Sequence, residues 1–312
     1  MIINTFIGYL LLNTGFIIVG LSESRAFIQW GMLELTILRV LPLLVRAGNS
    51  SKIQAGVKYF LRQAPASVWI FGSLILFNRP LASAALTPAI FYKLGLPPFH
   101  GWLFSLSASI DFKELVILLT FQKILPLNIL ESVFRVSLIC VSAVIRIFLI
   151  VAACNSISSI KPVLLLSSIS TTYWPLSCLY AGGEWLEFII SYSIIFFAFT
   201  FTIFHEKLNS YSSLVKSRFN TRLFCVSHLL NLGGIPPFLG FFLKVMVLKT
   251  IVKGRGGLSI LLIILSFTIL YVYIQIIIPL LVFNIKIINN NFNSIRAAIY
   301  ALTPFAAVLL FL

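Results

Sequence analysis

The chain has 312 residues, of which 60% are hydrophobic and 10% charged, and its mean hydropathy is +1.05. A soluble domain is about 45–50% apolar and about 25% charged, so a polytopic membrane protein is indicated and a soluble enzyme with one large core is excluded. The net charge of +15 lies mostly in short links between apolar runs, where it controls topology. No basic patch is interleaved with aromatic platforms, so nucleic acid is not an expected partner.

A helix needs about 20 apolar residues to cross the hydrocarbon core. Such runs recur at 3–20, 26–45, 55–77, 81–108, 113–130, 135–153, 162–180, 186–204, 222–251, 258–284 and 296–312. The expectation is an all-α fold of about eleven transmembrane helices in one membrane domain, with no soluble domain. Met1-Ile2-Ile3-Asn4 has neither the basic start of a signal peptide nor the Arg/Ser-rich pattern of a transit peptide, so the first run is read as a membrane helix. The stretch 205–222 reads as a loop or an amphipathic surface helix. Cys140, Cys154, Cys178 and Cys225 are scattered through apolar runs without ligand spacing, which argues against disulfide, haem and iron–sulfur readings.

Alternate links carry Arg46, Lys52 and Lys58, then Lys113, Lys161, then Lys207, Lys216, Arg218 and Arg222, then Lys286 and Arg296. The opposite links carry only Arg25, Arg79, Arg135, Lys253 and Arg255, together with Glu23, Glu131, Glu184 and Glu187. The richer side is the inner side, which puts the N-terminus inside and, after an odd number of helices, the C-terminus outside.

Two of the long runs share a pattern. Gly95-Leu96-Pro97-Pro98-Phe99 and Gly234-Ile235-Pro236-Pro237-Phe238 nearly repeat each other, with Lys93 just before the first and Lys244 shortly after the second. Proline removes a donor and clashes with the preceding turn, so Pro97, Pro98, Pro236 and Pro237 predict two broken membrane helices. An ionisable group inside a bilayer is costly and marks function by default. Broken helices in corresponding positions are a mark of transport folds built from repeats.

Few other charges remain within the spans: Glu34, Lys123, Arg39, Arg146 and Lys249. Arg39, Arg146 and Lys249 have a simple alternative, a long stem snorkelling to the interface. Lys93, Lys123, Lys244 and Glu34 suit reversible protonation. Desolvation favours a neutral amine, and a neighbouring carboxylate favours the ammonium, so a buried Lys–Glu pair is a switch. Arginine stays charged and cannot serve. Three mid-membrane lysines joined by water and hydroxyls would form a lateral relay, with His100 and His228 as candidate links. Either histidine could equally be a helix-packing hydrogen bonder.

The chain resembles the NADH–ubiquinone oxidoreductase chain 2 family, the antiporter-like membrane-arm subunits of respiratory complex I, in their short animal mitochondrial form. The resemblance rests on Trp30-Gly31-Met32-Leu33-Glu34, Lys58-Tyr59-Phe60-Leu61-Arg62-Gln63-Ala64, and Lys93-Leu94-Gly95-Leu96-Pro97-Pro98-Phe99-His100-Gly101-Trp102. It continues through Leu118-Leu119-Thr120-Phe121-Gln122-Lys123-Ile124-Leu125-Pro126, Leu166-Ser167-Ser168-Ile169, and Leu232 to Lys244. It implies two inverted five-helix repeats with one broken helix each, about 1–132 and 133–285, followed by a helix at about 296–312. It also implies that Glu34 pairs with Lys93, that Lys123 is the central relay residue and Lys244 the outer one. No redox cofactor or metal is expected on this chain; NADH, FMN, iron–sulfur clusters and ubiquinone belong to the assembled complex. Implied partners are the other membrane-arm and accessory subunits and lipids such as cardiolipin, in the mitochondrial inner membrane with the N-terminus on the matrix side.

The sequence departs from the family pattern at Thr171, where a histidine is common, and at Leu243, where a proline usually precedes the outer lysine. Arg39 and Arg146 are unexpected charges. Two alternatives stand beside the complex I reading: a stand-alone cation/proton antiporter, for which intramembrane acids are few, and a structural scaffold whose lysines only pair across subunits.

Overall fold

The computed structural model describes residues 2–45, 50–75, 80–131, 136–153, 159–206, 208, 210–252 and 256–282. The chain divides by its internal packing into two compact units, Met1–Ser142 and Ala143–Leu312. Helices account for nearly all of the described residues, and the one β pairing among them is an isolated antiparallel bridge between Ser159 and Ser210.

The first unit holds α1 (Ile2–Ser22), α2 (Ala26–Val45), α3 (Ser50–Ile75), α4 (Pro80–Leu94), α5 (Gly101–Ser107), α6 (Phe112–Leu119) and α7 (Ile124–Glu131). α8 (Val136–Ala153) carries the boundary between the units. The second unit continues with α9 (Ile160–Thr171), α10 (Tyr173–Tyr180), α11 (Trp185–His205), α12 (Tyr211–Val215), α13 (Phe219–Gly233), α14 (Leu239–Val252) and α15 (Gly256–Val282).

In the first unit α2 packs on α1 and α3, α3 packs on α4 and α5, and α7 lies against α1, α2 and α4. α2 shows why. Leu33, Ile37, Val40 and Leu44 recur at helical spacing and are all buried, while Leu35 and Leu38 on the opposite side are exposed. Lipid is as apolar as leucine, so close packing and internal hydrogen bonds hold such helices together rather than apolar burial. Trp30 Nε1, for example, donates to the Ser67 carbonyl at 3.0 Å and joins α2 to α3. In the second unit α13 packs on α11, α14 and α15, α10 on α9, α11 and α14, and α9 on α15.

Among the described residues, three helices are individually long and apolar enough to cross a membrane: Ala26–Val45, Trp185–His205 and Gly257–Leu281. Several other runs are interrupted. Two interruptions are the expected ones, after Leu94 and after Gly233. Both are helix ends of one kind. The Gly95 N–H donates to the Tyr92 carbonyl at 3.1 Å and the Leu96 N–H to the Phe91 carbonyl at 2.9 Å. At the second break the Gly234 N–H donates to the Asn231 carbonyl at 3.0 Å and the Ile235 N–H to the Leu230 carbonyl at 3.3 Å. This is the Schellman arrangement, with a left-handed residue closing the last turn. Gly95 has φ +66° and Gly234 φ +74°. The Pro97–Pro98 and Pro236–Pro237 peptide bonds that follow are both cis.

The two other interruptions differ from the expectation of one break per repeat. The run 113–130 is α6, a 3-10 turn over Phe121–Lys123, and α7. The run 162–180 is α9 and α10, parted at Thr172. The physical reason lies four residues downstream, because a proline ring collides with the carbonyl at i−4 and supplies no donor to it. Pro126 acts this way on Gln122, and Pro175 on Thr171. Pro42 and Pro65 sit inside continuous helices, so proline alone does not decide the outcome. The polar stretch 205–222 resolves into the end of α11, the short α12 and the first turn of α13. The expected helix at 296–312 lies outside the described residues, as do Cys154, Arg46, Arg79, Arg135, Lys207, Lys253, Arg255, Lys286 and Arg296. Cys178 and Cys225 are buried free thiols, and Cys140 is a half-buried one.

Substitution tests the two caps. An L-residue held in the left-handed region costs about 1–2 kcal/mol, and a Cβ at Gly95 would also lie 2.2 Å from Leu103 Cδ1. Gly95→Ala and Gly234→Ala are each expected to lower the thermal unfolding midpoint in detergent. Gly101→Ala, where nothing lies within 4 Å of the added carbon, is expected to leave it unchanged.

Candidate functional site

In the first unit Lys93 occupies the last turn of α4, where the carbonyl end of the helix favours a cation. Its side chain is 3% exposed, and Nζ donates to Glu34 Oε1 of α2 at 3.1 Å. The indole N–H of Trp102, on α5 beyond the break, donates to the Tyr92 carbonyl at 3.2 Å, so the broken end receives a donor from the second half-helix.

Lys123 is buried in the 3-10 turn, its backbone N–H donating to the Thr120 carbonyl at 3.2 Å. Lys93 and Lys123 both line one cavity, with Tyr59, Gln63 and Gln122 as the other polar members of its wall. The space open to water centres is about 20 Å³, and about 10–15 Å³ on that measure holds one water. The wall is fixed by a short chain of hydrogen bonds. The Tyr59 hydroxyl donates to Gln122 Oε1, and Gln122 Nε2 to the Thr36 carbonyl, both at 3.2 Å. Tyr59 and Gln122 thus position the two lysines' common space, and a count of charges alone overlooks both. His100 caps α5 with its ring edge-on to Phe104 and is not part of the cavity wall.

In the second unit Lys244 projects from α14 back across its own break. Nζ donates to the Gly233 carbonyl at 2.6 Å and lies 5.8 Å from the centre of the Trp174 ring. A Cβ on Gly234 would meet Nζ at 2.7 Å, so the glycine admits both the left-handed turn and the lysine. The half-helices are also joined by Asn231, whose Oδ1 accepts from the Gly240 N–H at 2.8 Å. That bond satisfies one of the donors a helix start leaves open. His228 packs on Phe224 and Phe199, and its ring nitrogens make no hydrogen bond to a described residue.

Comparison with known proteins bears on this geometry. Residues 77–271 match the family model described as NADH:quinone oxidoreductase/Mrp antiporter, transmembrane. The chain is 32% identical over 291 residues to the NADH-ubiquinone oxidoreductase chain 2 of Rhipicephalus sanguineus, covering 90% of this chain and 91% of that one. It is 27% identical over 316 residues to the protein of the same name from Lumbricus terrestris, covering 92% and 90%. The chain belongs to the NADH–ubiquinone oxidoreductase chain 2 family. Two solved structures share its fold. One is a chain of respiratory complex I from Thermus thermophilus with bound aureothin, at TM-score 0.71 and 17% identity, over 90% of this chain and 74% of that chain. The other is a chain of the Mrp complex from Dietzia sp. DQ12-45-1b, at TM-score 0.73 and 16% identity, over 86% and 59%.

The remaining charges sort by burial within this antiporter-like membrane fold. Lys249 is exposed near the end of α14, and Arg39 is half-buried with its guanidinium 5.8 Å from the Phe16 ring. Arg222, expected in a loop, is instead a buried residue of α13. Lys52 binds Asp111 at the foot of α6 and lies 3.9 Å from Glu114. Asn231→Ala is expected to cost about 1–3 kcal/mol by leaving the Gly240 donor unpaired. The readouts are a lower unfolding midpoint and faster amide hydrogen exchange at Gly240.

Proposed function

We propose that this chain is a non-redox membrane subunit of mitochondrial NADH:ubiquinone oxidoreductase, contributing to proton translocation through Glu34, Lys93, Lys123 and Lys244. The observation that carries the reading is the shared cavity: two buried lysines face one water-sized space, and one of them is held by a carboxylate. Family membership supports the complex; the named relatives are chain 2 subunits.

The mechanism follows from solvation. With Glu34 at 3.1 Å, the ammonium form of Lys93 is favoured. When the carboxylate withdraws, burial favours the neutral amine, and the proton passes to water in the cavity and on to Lys123. Lys244, held on the Gly233 carbonyl, is the outer station. Electron transfer belongs to other subunits of the complex, and this chain takes part through charge.

We infer eleven crossings. α1, α2, α3, α4–α5, α6–α7, α8, α9–α10, α11, α13–α14 and α15 supply ten, and 296–312 the eleventh. Five crossings per repeat put the glycine–proline break in the fourth crossing of each, and an odd number inverts one repeat against the other. Lysine and arginine in the links favour a matrix-side N-terminus. Neighbouring membrane-arm subunits and anionic lipids are the proposed contacts of the exposed surface.

Lys123→Met decides the reading. The assembled complex is expected to form normally and to lose most NADH-driven proton uptake into vesicles. Normal assembly with wild-type proton uptake would sink the relay.

A further inference from the structure

One buried charge has no part in the proposed relay. Arg146 of α8 is 0% exposed. Its Nε donates to Ser170 Oγ at 3.3 Å, and its Nη2 donates to the Leu166 carbonyl. Nη1 has no hydrogen-bond partner, and no carboxylate forms an ion pair with the guanidinium, among the described residues. A guanidinium remains charged wherever it is put, so burial here cannot be relieved by loss of a proton.

The surroundings of Arg146 lead toward Lys244. Leu166 and Ser170 lie one turn apart on α9, and one turn further is Trp174 of α10, whose ring lies by the Lys244 ammonium. Ser167, Ser170 and Thr171 are buried along this stretch. Tyr192 of α11 lies beside Ser167 and Thr171, and Tyr273 of α15 beside Ser167. The serine and threonine hydroxyls donate to carbonyls of their own helix, which leaves their lone pairs to face a hydrated proton moving along this stretch. A fixed positive charge at the edge of such a row of hydroxyls repels a hydrated proton, as a pore arginine does.

We propose that Arg146 is a fixed electrostatic barrier that stops protons leaking along the hydroxyl-lined interior of the second unit toward Lys244. It neither takes nor gives a proton; it raises the energy of one passing by. The inference rests on the relay reading only in treating Lys244 as a proton station.

The test is passive leak. Assembled complex in sealed vesicles, without NADH, is given a pH step, and its decay is followed with an internal pH dye. Arg146→Met and Arg146→Gln are expected to speed the decay at least about tenfold, and Arg146→Lys to hold it near wild type only below the pH at which its buried amine sheds its proton. Uncoupled NADH oxidation should stay near wild type in all three. Unchanged leak in the Met and Gln variants overturns the barrier. Equal leak in the Lys variant at every pH, with no protection on acidification, overturns it too, because packing and not charge is then at work. Failure of both the Met and Gln variants to assemble makes Arg146 structural and likewise overturns the proposal. Because leak is read without turnover, its outcome is separate from that of Lys123→Met, which tests the relay.

Discussion

Hydrocarbon offers a backbone nothing to bond to, and the arrangement of this chain follows from that constraint. A helix that stops inside a bilayer leaves carbonyls and N–H groups that something must satisfy. At the first break the Trp102 indole adds a second donor to the Tyr92 carbonyl, beside the Gly95 N–H. At the second the Lys244 ammonium donates to the Gly233 carbonyl, and the Asn231 side chain accepts from the Gly240 N–H. Polar side chains are therefore drawn to the breaks by the backbone itself.

The same constraint explains where the two lysines sit. Lys93 comes before its break and Lys244 after its own, yet both are placed at the carbonyl end of the first half-helix. Lys93 lies in the last turn of α4, and Lys244 reaches back to the end of α13. The partial negative charge of a helix C-terminus favours a cation in either place. What differs is the second partner: Lys93 has a carboxylate at 3.1 Å, Lys244 a carbonyl and an indole face. One ammonium faces a carboxylate on another helix, while the other rests on a carbonyl dipole and an indole ring.

Much of this was legible in the sequence because its signals are local. Glycine followed by two prolines states a helix end whatever surrounds it, and both breaks appear at the expected residues. The buried face of α2 was not legible in this way, because Leu35 and Leu38 on its exposed side are as apolar as Leu33 and Ile37 on its packed side. The breaks at Thr120–Lys123 and Thr172 were less legible. They depend on Pro126 and Pro175, and Pro42 and Pro65 look the same in sequence but leave their helices continuous. Side-chain partners were legible only where charge made them so. Charge marked Glu34 and Lys93 as candidates and the family resemblance paired them, whereas Tyr59 and Gln122 are uncharged and meet over a sequence separation that no local pattern encodes. Arg222 looked like a loop charge because α13 begins earlier than hydropathy suggests.

Gly240 carries a further consequence. A Cβ there would sit 1.9 Å from the Asn231 carbonyl oxygen, so the α13 and α14 backbones already touch. Nothing larger than hydrogen fits between the half-helices at that point, so main chain meets main chain there, and the Asn231 side chain ties the contact through the Gly240 N–H. Lys244, four residues further along α14, spans the same joint to the Gly233 carbonyl. A side chain at position 240 would therefore push the half-helices apart and draw the ammonium away from the Gly233 carbonyl.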